Sequence, residues 1–210
     1  MWGNLSLRFL DFWRAPPEFM DNLFFDLKQL RHLGTGTIVG KCVRIRRPEL
    51  VSIGDYTIID DFTYISGALE IGAHSHIGPN VTITGGIKKL TVGNYAGIGA
   101  GCSIFVGSTD FVTPSFDFPS IPEEFQFGGI REEVVIGHYV QLGSRSVVLP
   151  GAQLPEGFAS AAMTVVRKRA YEPWTLYGGE RCTKLARRDQ TNLLAAVRRF
   201  EASRKAENTP

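Results

Sequence analysis

The sequence predicts an all-β protein whose central part is a parallel β-helix. Three observations lead to this fold class: an aliphatic residue recurs every six positions, a small residue stands two positions before it, and glycine often follows it. Inward and outward alternation is typical of strands, and a six-residue period matches neither an α-helix nor a repeat of paired helices. We therefore expect each hexad to form one short strand and a corner, with three hexads closing a triangular coil.

The aliphatic ladder is most regular in the middle of the chain. It consists of Ile53, Ile59, Ile65, Ile71, Ile77, Ile83, Val92, Ile98, Ile104, Ile136, Leu142, Val148 and Leu154. A weaker lead-in runs through Val39, Ile45 and Val51. The small residues are Thr57, Thr63, Ser75, Ala96, Cys102, Ser146 and Ala152. Glycine follows the ladder at Gly54, Gly72, Gly78, Gly93, Gly99, Gly137 and Gly143. Stacked coils are expected to bury both sets of residues in a narrow prism; the alternative, a β-sandwich, would have turns about every 8–12 residues.

Three regions follow from the ladder. Residues 1–36 are predicted to cap the open end of the prism, because a repeat fold needs a terminal cap. Residues 37–166 form the β-helix, interrupted by a loop at 107–133. Residues 167–210 form a C-terminal segment with an α-helix, since apolar residues in 189–206 recur at helical spacing.

Composition excludes several classes of protein. The chain has 210 residues, a formal net charge of +2, and 43% hydrophobic residues. These values argue against disorder and against general binding of nucleic acid. No run reaches the ~18 apolar residues of a membrane span, and the first residues lack the pattern of a secretory signal. Three widely spaced cysteines form no metal or redox motif and indicate a reducing, cytoplasmic setting.

Four segments resemble a known family: IGAHSHIGPN, VGNYAGIGAGCSIFVGSTDF, the loop with SIPEEF, and YEPWTLYGGERCTKLARR. Together with the hexads they are similar to the left-handed parallel β-helix acyltransferases that use acetyl-CoA. Within that family the chain resembles the N-acetyltransferases of nucleotide-linked 4-amino-4,6-dideoxy sugars, such as dTDP-4-amino-4,6-dideoxyglucose or GDP-perosamine, in O-antigen synthesis. The resemblance implies acetyl-CoA as cosubstrate, an amino-sugar acceptor, and a homotrimer with active sites between subunits.

The loop at 107–133 is the predicted acceptor region. Long loops on compact scaffolds are usually functional, and five phenylalanines argue against the alternative of a disordered insertion. Thr109 stands where many sugar O-acetyltransferases of the family have a histidine, which favours an amine acceptor over a hydroxyl. Asp110 is a candidate proton acceptor, with a turn-capping role as the equal alternative. Thr109 and Glu123 are predicted to bind the substrate.

Two histidines are the remaining candidates. His76 precedes Ile77 and is the candidate catalytic base, since histidine is the residue type that most often acts as a general base near neutral pH. His74 lies two residues away, which puts it on the same face of an extended strand, and is predicted to bind the substrate. A structural role is the alternative for each. No third ligand with suitable spacing supports a metal site.

For acetyl-CoA, the resemblance points to small residues that let the pantetheine arm approach the C-terminal coils. The matching positions are Gly143, Ser144, Ala161 and Ala162. Arg167 and Lys168 could bind phosphate through charge-assisted hydrogen bonds, or could serve only solubility. The leading hypothesis is thus an N-acetyltransferase. A polysaccharide or sugar O-acetyltransferase is the second, and a non-catalytic hexapeptide-repeat scaffold is the third.

Overall fold

The chain winds into a prism of stacked triangular coils. The computed structural model describes residues 22–86 and 88–207, so most of the predicted N-terminal cap lies outside the described residues. The first four coils comprise β1 (His32–Leu33), β2 (Ile38–Val39), β3 (Arg44–Ile45), β4 (Val51–Ile53), β5 (Ile58–Ile59), β6 (Tyr64–Ile65), β7 (Ala68–Ile71), β8 (His76–Ile77), β9 (Thr82–Thr84), β10 (Lys89–Val92), β11 (Gly97–Ile98) and β12 (Ser103–Phe105). Short 3-10 helices lie at Leu27–Gln29 and Pro48–Leu50.

A loop separates the fourth coil from the fifth. It contains β13 (Gly107–Ser108), a 3-10 helix at Glu123–Phe125 and β14 (Ile130–Arg131). Coils five and six comprise β15 (Val134–Ile136), β16 (Gln141–Leu142), β17 (Val147–Val148), β18 (Gln153–Leu154), β19 (Ala159–Ser160) and β20 (Val165–Val166). The chain ends with β21 (Thr175–Gly178), β22 (Thr183–Arg187) and α1 (Thr191–Glu207).

The strands stack into three parallel sheets, one on each face of the prism. Face A holds the first strand of every coil, from β1 to β18; face B holds the second strands; face C holds the third. Face B continues beyond the sixth coil, because β21 pairs in parallel with β19 and β22 then pairs antiparallel with β21. The prism therefore extends at both ends into the segments assigned to the cap and the C-terminal region.

The predicted ladder is confirmed as the core. Every one of its residues from Ile53 to Leu154 is at most 3% exposed. The small residues are buried as well, and their hydroxyls bond to corner carbonyls of the next coil: Thr57 Oγ1 donates to Gly72 O at 2.7 Å, and Ser75 Oγ to Gly93 O at 2.9 Å. These bonds explain why polar side chains are tolerated inside the prism.

The lead-in needs one correction. Val51 is buried, but it pairs with Leu69 and not with the ladder, whose residue in this coil is Ile53. The spacing from Ile45 to Ile53 is eight residues because the 3-10 helix Pro48–Leu50 lengthens this corner. Two extra residues leave the inward and outward alternation unchanged, so Val51 still faces inward. Its place is therefore the small-residue position of the hexad.

Candidate functional site

The loop at 107–133 is folded onto itself and leaves the prism at the corner between faces C and A. At its base, β13 and β14 pair antiparallel, with Gly107 opposite Arg131. Farther out, Phe116 and Phe127 exchange backbone hydrogen bonds of 2.9 and 3.2 Å. The alternative of a disordered insertion does not fit this pairing. Several apolar side chains nevertheless remain exposed, among them Phe111 at 89% and Phe125 at 64%.

A cleft of about 610 Å³ lies between this loop and the prism. It runs along the ends of the third strands in coils one to four, and the loop forms its other wall. Its lining comprises Arg46, Arg47, Leu50, Tyr64, Ser66, Thr84, Gly85, Gly86, Gly107, Ser108, Thr109, Asp117, Pro119, Gln126, Ile130 and Arg131. This volume falls in the range of small-molecule sites.

Glycines keep the cleft open where coils three and four meet. A Cβ on Gly107 would lie 2.6 Å from Gly85 O, so the two backbones approach too closely for side chains. Gly86 has a φ of +86°, and a Cβ there would have no neighbour within 4 Å. The backbone at this corner is therefore bare toward the cleft, and a ligand can approach it closely.

Of the predicted acceptor residues, Thr109 lies in the cleft wall. Its hydroxyl donates to Asp117 Oδ1 at 3.3 Å, and Ser115 Oγ donates to the same oxygen at 3.1 Å. Asp117 is the sole acidic residue among the described residues that line the cleft. The sequence reasoning missed Asp117 and the arginines at 46, 47 and 131; the run RIRR at 44–47 was the available signal.

Asp110 and Glu123 are not among the residues that line the cleft. Asp110 Oδ1 accepts the amides of Val112 and Thr113 at 2.9 and 3.1 Å, and these bonds lower the pKa of its carboxyl. This is the turn-capping alternative, and it makes Asp110 a weaker base. Glu123 is exposed in the first turn of a 3-10 helix.

His76 lies on face B, in β8, with its side chain half-exposed. Its Nε2 is 2.8 Å from Oδ2 of Asp60, which belongs to the preceding coil. A carboxylate can only accept, so Nε2 is the donor in this contact. An imidazole oriented by a carboxylate is the arrangement that general-base catalysis uses. The sequence reasoning found His76 but missed Asp60, because the two residues are brought together by stacking of coils.

The prediction that His74 shares a strand face with His76 is wrong, whereas its role in substrate binding stays a prediction. His74 lies at the corner between faces A and B with a φ of +54°. Its ring stacks between Tyr56 and Tyr95, at 5.2 Å from each, in a column that continues to Tyr139 and Trp174. The helix α1 covers this column and brings Phe200 to 5.0 Å from His74.

Burial and charged residues of α1 shift the pKa values of two side chains in this column, His74 and Tyr95. Burial and the nearby Arg204 lower the pKa of His74, although Asp55 and Glu201 act in the opposite direction. Burial and a hydrogen bond of 2.9 Å to Glu201 raise the pKa of Tyr95 to about 12. Burial in the packed column thus disfavours the protonated form of His74, and His74 is not among the residues that line the cleft.

The predicted cofactor residues fall into two groups. Gly143, Ser144, Ala161 and Ala162 share the corner between faces B and C, in coils five and six. Ser144 and Ala162 are exposed there. A Cβ on Gly143 would lie 2.5 Å from Ala161 C and Ala162 N, so coil stacking by itself requires glycine at this position.

Arg167 and Lys168 follow β20 at the corner between faces C and A. Lys168 Nζ pairs with Glu132 Oε2 of the loop at 2.6 Å, and Arg167 donates to the carbonyl of Glu180. Both side chains are exposed. The structure therefore places the two basic residues at a different corner from the four small residues. In residues 22–86 and 88–207, no group of three or more His, Cys, Asp and Glu could hold a metal ion, and no helix could span a membrane.

Comparisons with known proteins agree with this fold. The model of the family described as "Bacterial transferase hexapeptide (six repeats)" matches residues 51–85. The chain is 32% identical to the dTDP-4-amino-4,6-dideoxy-D-glucose acyltransferase of Escherichia coli over 155 residues, 69% of this chain and 79% of that protein. It is 28% identical to a chloramphenicol acetyltransferase of Klebsiella aerogenes over 113 residues, 49% of this chain and 53% of that protein.

A solved structure is similar over a longer part of the chain. It is a single-site mutant of AntD, an N-acyltransferase from Bacillus cereus, in complex with dTDP-4-amino-4,6-dideoxyglucose and coenzyme A. The TM-score is 0.77 at 25% identity, covering 86% of this chain and 99% of that one. The predicted all-β left-handed parallel β-helix is thereby confirmed. With its hexapeptide coils, its inserted loop and its similarity to the Escherichia coli enzyme, the chain belongs to the hexapeptide-repeat acyltransferases.

Proposed function

We propose that the protein transfers an acyl group from coenzyme A to the amino group of a nucleotide-linked 4-amino-4,6-dideoxy sugar. The predicted acyl group is acetyl, and the acylated sugar would be used in the synthesis of O-antigen or another surface polysaccharide. The observation that carries this proposal is the 32% identity to an acyltransferase named for dTDP-4-amino-4,6-dideoxy-D-glucose. Support comes from AntD, whose structure holds the same amino sugar and coenzyme A. Three free cysteines are consistent with a reducing, cytoplasmic location.

The lining of the cleft favours an amine over a hydroxyl acceptor. A hydroxyl needs a base to remove its proton, whereas a neutral amine is already a nucleophile. Thr109 lies in the cleft wall, and no histidine is among the described residues of this chain that line the cleft. Within one chain, this wall therefore supplies no imidazole base for a hydroxyl acceptor.

A homotrimer would unite groups that one chain keeps apart. The loop leaves at the corner between faces C and A, which is opposite face B, where His76 and Asp60 lie. One chain therefore cannot place its own loop beside its own His76. A neighbouring prism can, and the exposed Phe111 and Phe125 supply apolar surface for that contact. Light scattering should give about 70 kDa, three times the 23.2 kDa of one chain.

Turnover is tested with purified protein, acetyl-CoA or a longer acyl-CoA, and a panel of dTDP-, UDP- and GDP-linked 4-amino sugars, by following thiol release. We expect turnover of an amino sugar and none of its 4-hydroxyl counterpart. Turnover of the hydroxyl sugar alone would instead establish an O-acyltransferase. Silence with every acceptor, from a protein that still binds coenzyme A, would favour a non-catalytic scaffold.

The route of the proton is tested by substitution. His76→Asn and Asp60→Asn should each lower kcat/KM at least tenfold, about 1.4 kcal/mol of transition-state stabilisation. His138→Asn is the matched control, because His138 is an exposed corner histidine that accepts the amide of Asn94. Asp110→Asn is compared with Asp189→Asn, since both carboxylates accept local amides. If neither His76→Asn nor Asp110→Asn loses tenfold, these two residues do not carry the proton.

A further inference from the structure

The cleft has a charge pattern that its shape alone does not require. Three arginines line it, Arg46 and Arg47 at the end of coil one and Arg131 on the returning strand of the loop. Among residues 22–86 and 88–207, none of the three forms an ion pair with a carboxylate. Asp117 is the single opposing charge, so the lining has a net charge of +2. Unpaired arginines around a concave site attract anions.

The kind of anion follows from the other lining groups. Guanidinium groups bind phosphate through paired hydrogen bonds, and hydroxyls and bare backbone can complete the coordination. The cleft supplies hydroxyls from Tyr64, Ser66 and Thr84, beside the glycine corner at Gly85 and Gly86. Several donors spread over the ends of four coils suit an extended polyphosphate better than a single phosphate. Adjacent strands are about 4.8 Å apart, so coils one and four are separated by about 14 Å.

The opposite charge lies on the loop wall of the cleft, on the same hairpin as Arg131. Asp117 is held by Thr109 and Ser115 at the level where the loop leaves coil four. Each hydroxyl donates to Oδ1 of Asp117, which fixes the carboxylate without neutralising it. A ligand that matches the charges of this cleft has both a diphosphate and an ammonium group.

We propose that this cleft binds the acceptor, with Arg46, Arg47 and Arg131 holding the diphosphate of a nucleoside diphosphate and Asp117 holding the sugar ammonium. This proposal rests on the proposed function and adds which residues recognise which part of the acceptor. Coenzyme A also contains a diphosphate, but it has no ammonium group for Asp117. The acceptor is therefore the better match to both charges.

The test is calorimetric titration of the full chain with dTDP, UDP, GDP, thymidine and coenzyme A. Arg46→Gln, Arg47→Gln and Arg131→Gln should each weaken binding of the preferred nucleoside diphosphate about tenfold and leave the affinity for thymidine and coenzyme A unchanged. Arg199→Gln, an exposed arginine on α1, is the control and should match the wild type. All four positions are exposed, so folding is retained, which thermal melts check.

Asp117→Asn has the opposite signature. Asparagine keeps the oxygen that Thr109 and Ser115 bind but removes the charge, so KM for the amino sugar should rise about tenfold with the Kd for the nucleoside diphosphate unchanged. Unchanged diphosphate affinity in all three arginine variants, or a loss confined to coenzyme A, would overturn the assignment while leaving the proposed function intact. If the wild type binds no nucleoside diphosphate and acylates no amino sugar, both proposals fail.

Discussion

Gly143→Ala tests whether the corner between faces B and C needs glycine for the stacking of coils or for binding the pantetheine arm of coenzyme A. A Cβ there would lie 2.5 Å from Ala161 C and Ala162 N, about 1 Å inside an ordinary contact. Those atoms cannot yield easily, because Gly143 N donates to Ser160 O at 3.0 Å and Ala161 N donates to Tyr177 O at 2.8 Å. Overpacking of this kind costs about 2 kcal/mol, within the usual range of 1–3. For a domain of this size the Tm should fall by about 4–8 °C.

The assay is a thermal melt beside steady-state kinetics at 25 °C. Gly97→Ala is the matched control, since a Cβ on Gly97 has no neighbour within 4 Å, and its Tm should stay within about 1 °C of the wild type. We expect Gly143→Ala to keep its KM for acyl-CoA within twofold at 25 °C. A wild-type Tm combined with a raised KM for acyl-CoA would refute the stacking argument, and Gly143 would then serve the pantetheine arm.

Three further substitutions test the fold and the site. The folded protein holds the pKa of His74 below the value of 6.5 expected when unfolded, so the unfolded chain binds more protons below about pH 6.5. Stability should therefore fall as the pH is lowered through that value. His74→Phe should show a smaller fall in Tm between pH 7.5 and 5.5 than the wild type, and equal falls would contradict the lowered pKa of His74. Thr57→Val removes a fully buried hydroxyl that donates to Gly72 O and accepts from Ser75 N. Its free energy of unfolding, measured in a melt, should fall by about 1–3 kcal/mol. Thr57→Ser keeps the hydroxyl and should retain most of the wild-type stability. Lys168→Gln breaks an exposed ion pair with Glu132 and should change stability by less than about 1 kcal/mol. A severalfold rise in KM for acyl-CoA would support the predicted contact of Lys168 with phosphate. An unchanged KM would leave surface solubility as the role of Lys168.

The sequence predicts the prism well because each hexad repeats one physical requirement. Ile59 and Thr57 both point into the core, and Gly72 must be small because the next coil lies against it. A Cβ on Gly72 would lie 2.7 Å from Asn94 N. Such requirements are local in sequence and recur, so they are visible as periodicity. The pairing of His76 with Asp60 is also fixed by the repeat, but it joins different hexads and becomes visible only once the coils are stacked.

The site is harder to predict because it depends on contacts that do not repeat. Asp110 and Asp117 are both acidic residues of the same loop, and only the hairpin geometry decides that Asp117 lines the cleft while Asp110 caps a turn. The position of His74 is equally hard to predict from sequence. Because His74 lies two residues before His76, sequence spacing places it on the same strand face, yet a φ of +54° directs its side chain into the aromatic column.

The irregularities of the ladder lie at one corner of the prism. Between faces A and B, and between B and C, the ladder keeps its six-residue spacing from Val39 to Val166 within the described coils. Between faces C and A the spacing grows to eight from Ile45 to Ile53, nine from Ile83 to Val92, and 32 from Ile104 to Ile136. An insertion at a corner leaves the strand register intact, so it costs the prism little stability. The arginines after β3, the glycine corner after β9 and the loop after β12 are all such insertions, and together they form the cleft. Deleting two of the three residues Pro48–Leu50 restores the six-residue spacing from Ile45 to Ile53, so it should preserve the fold in a thermal melt while abolishing nucleoside diphosphate binding in calorimetry.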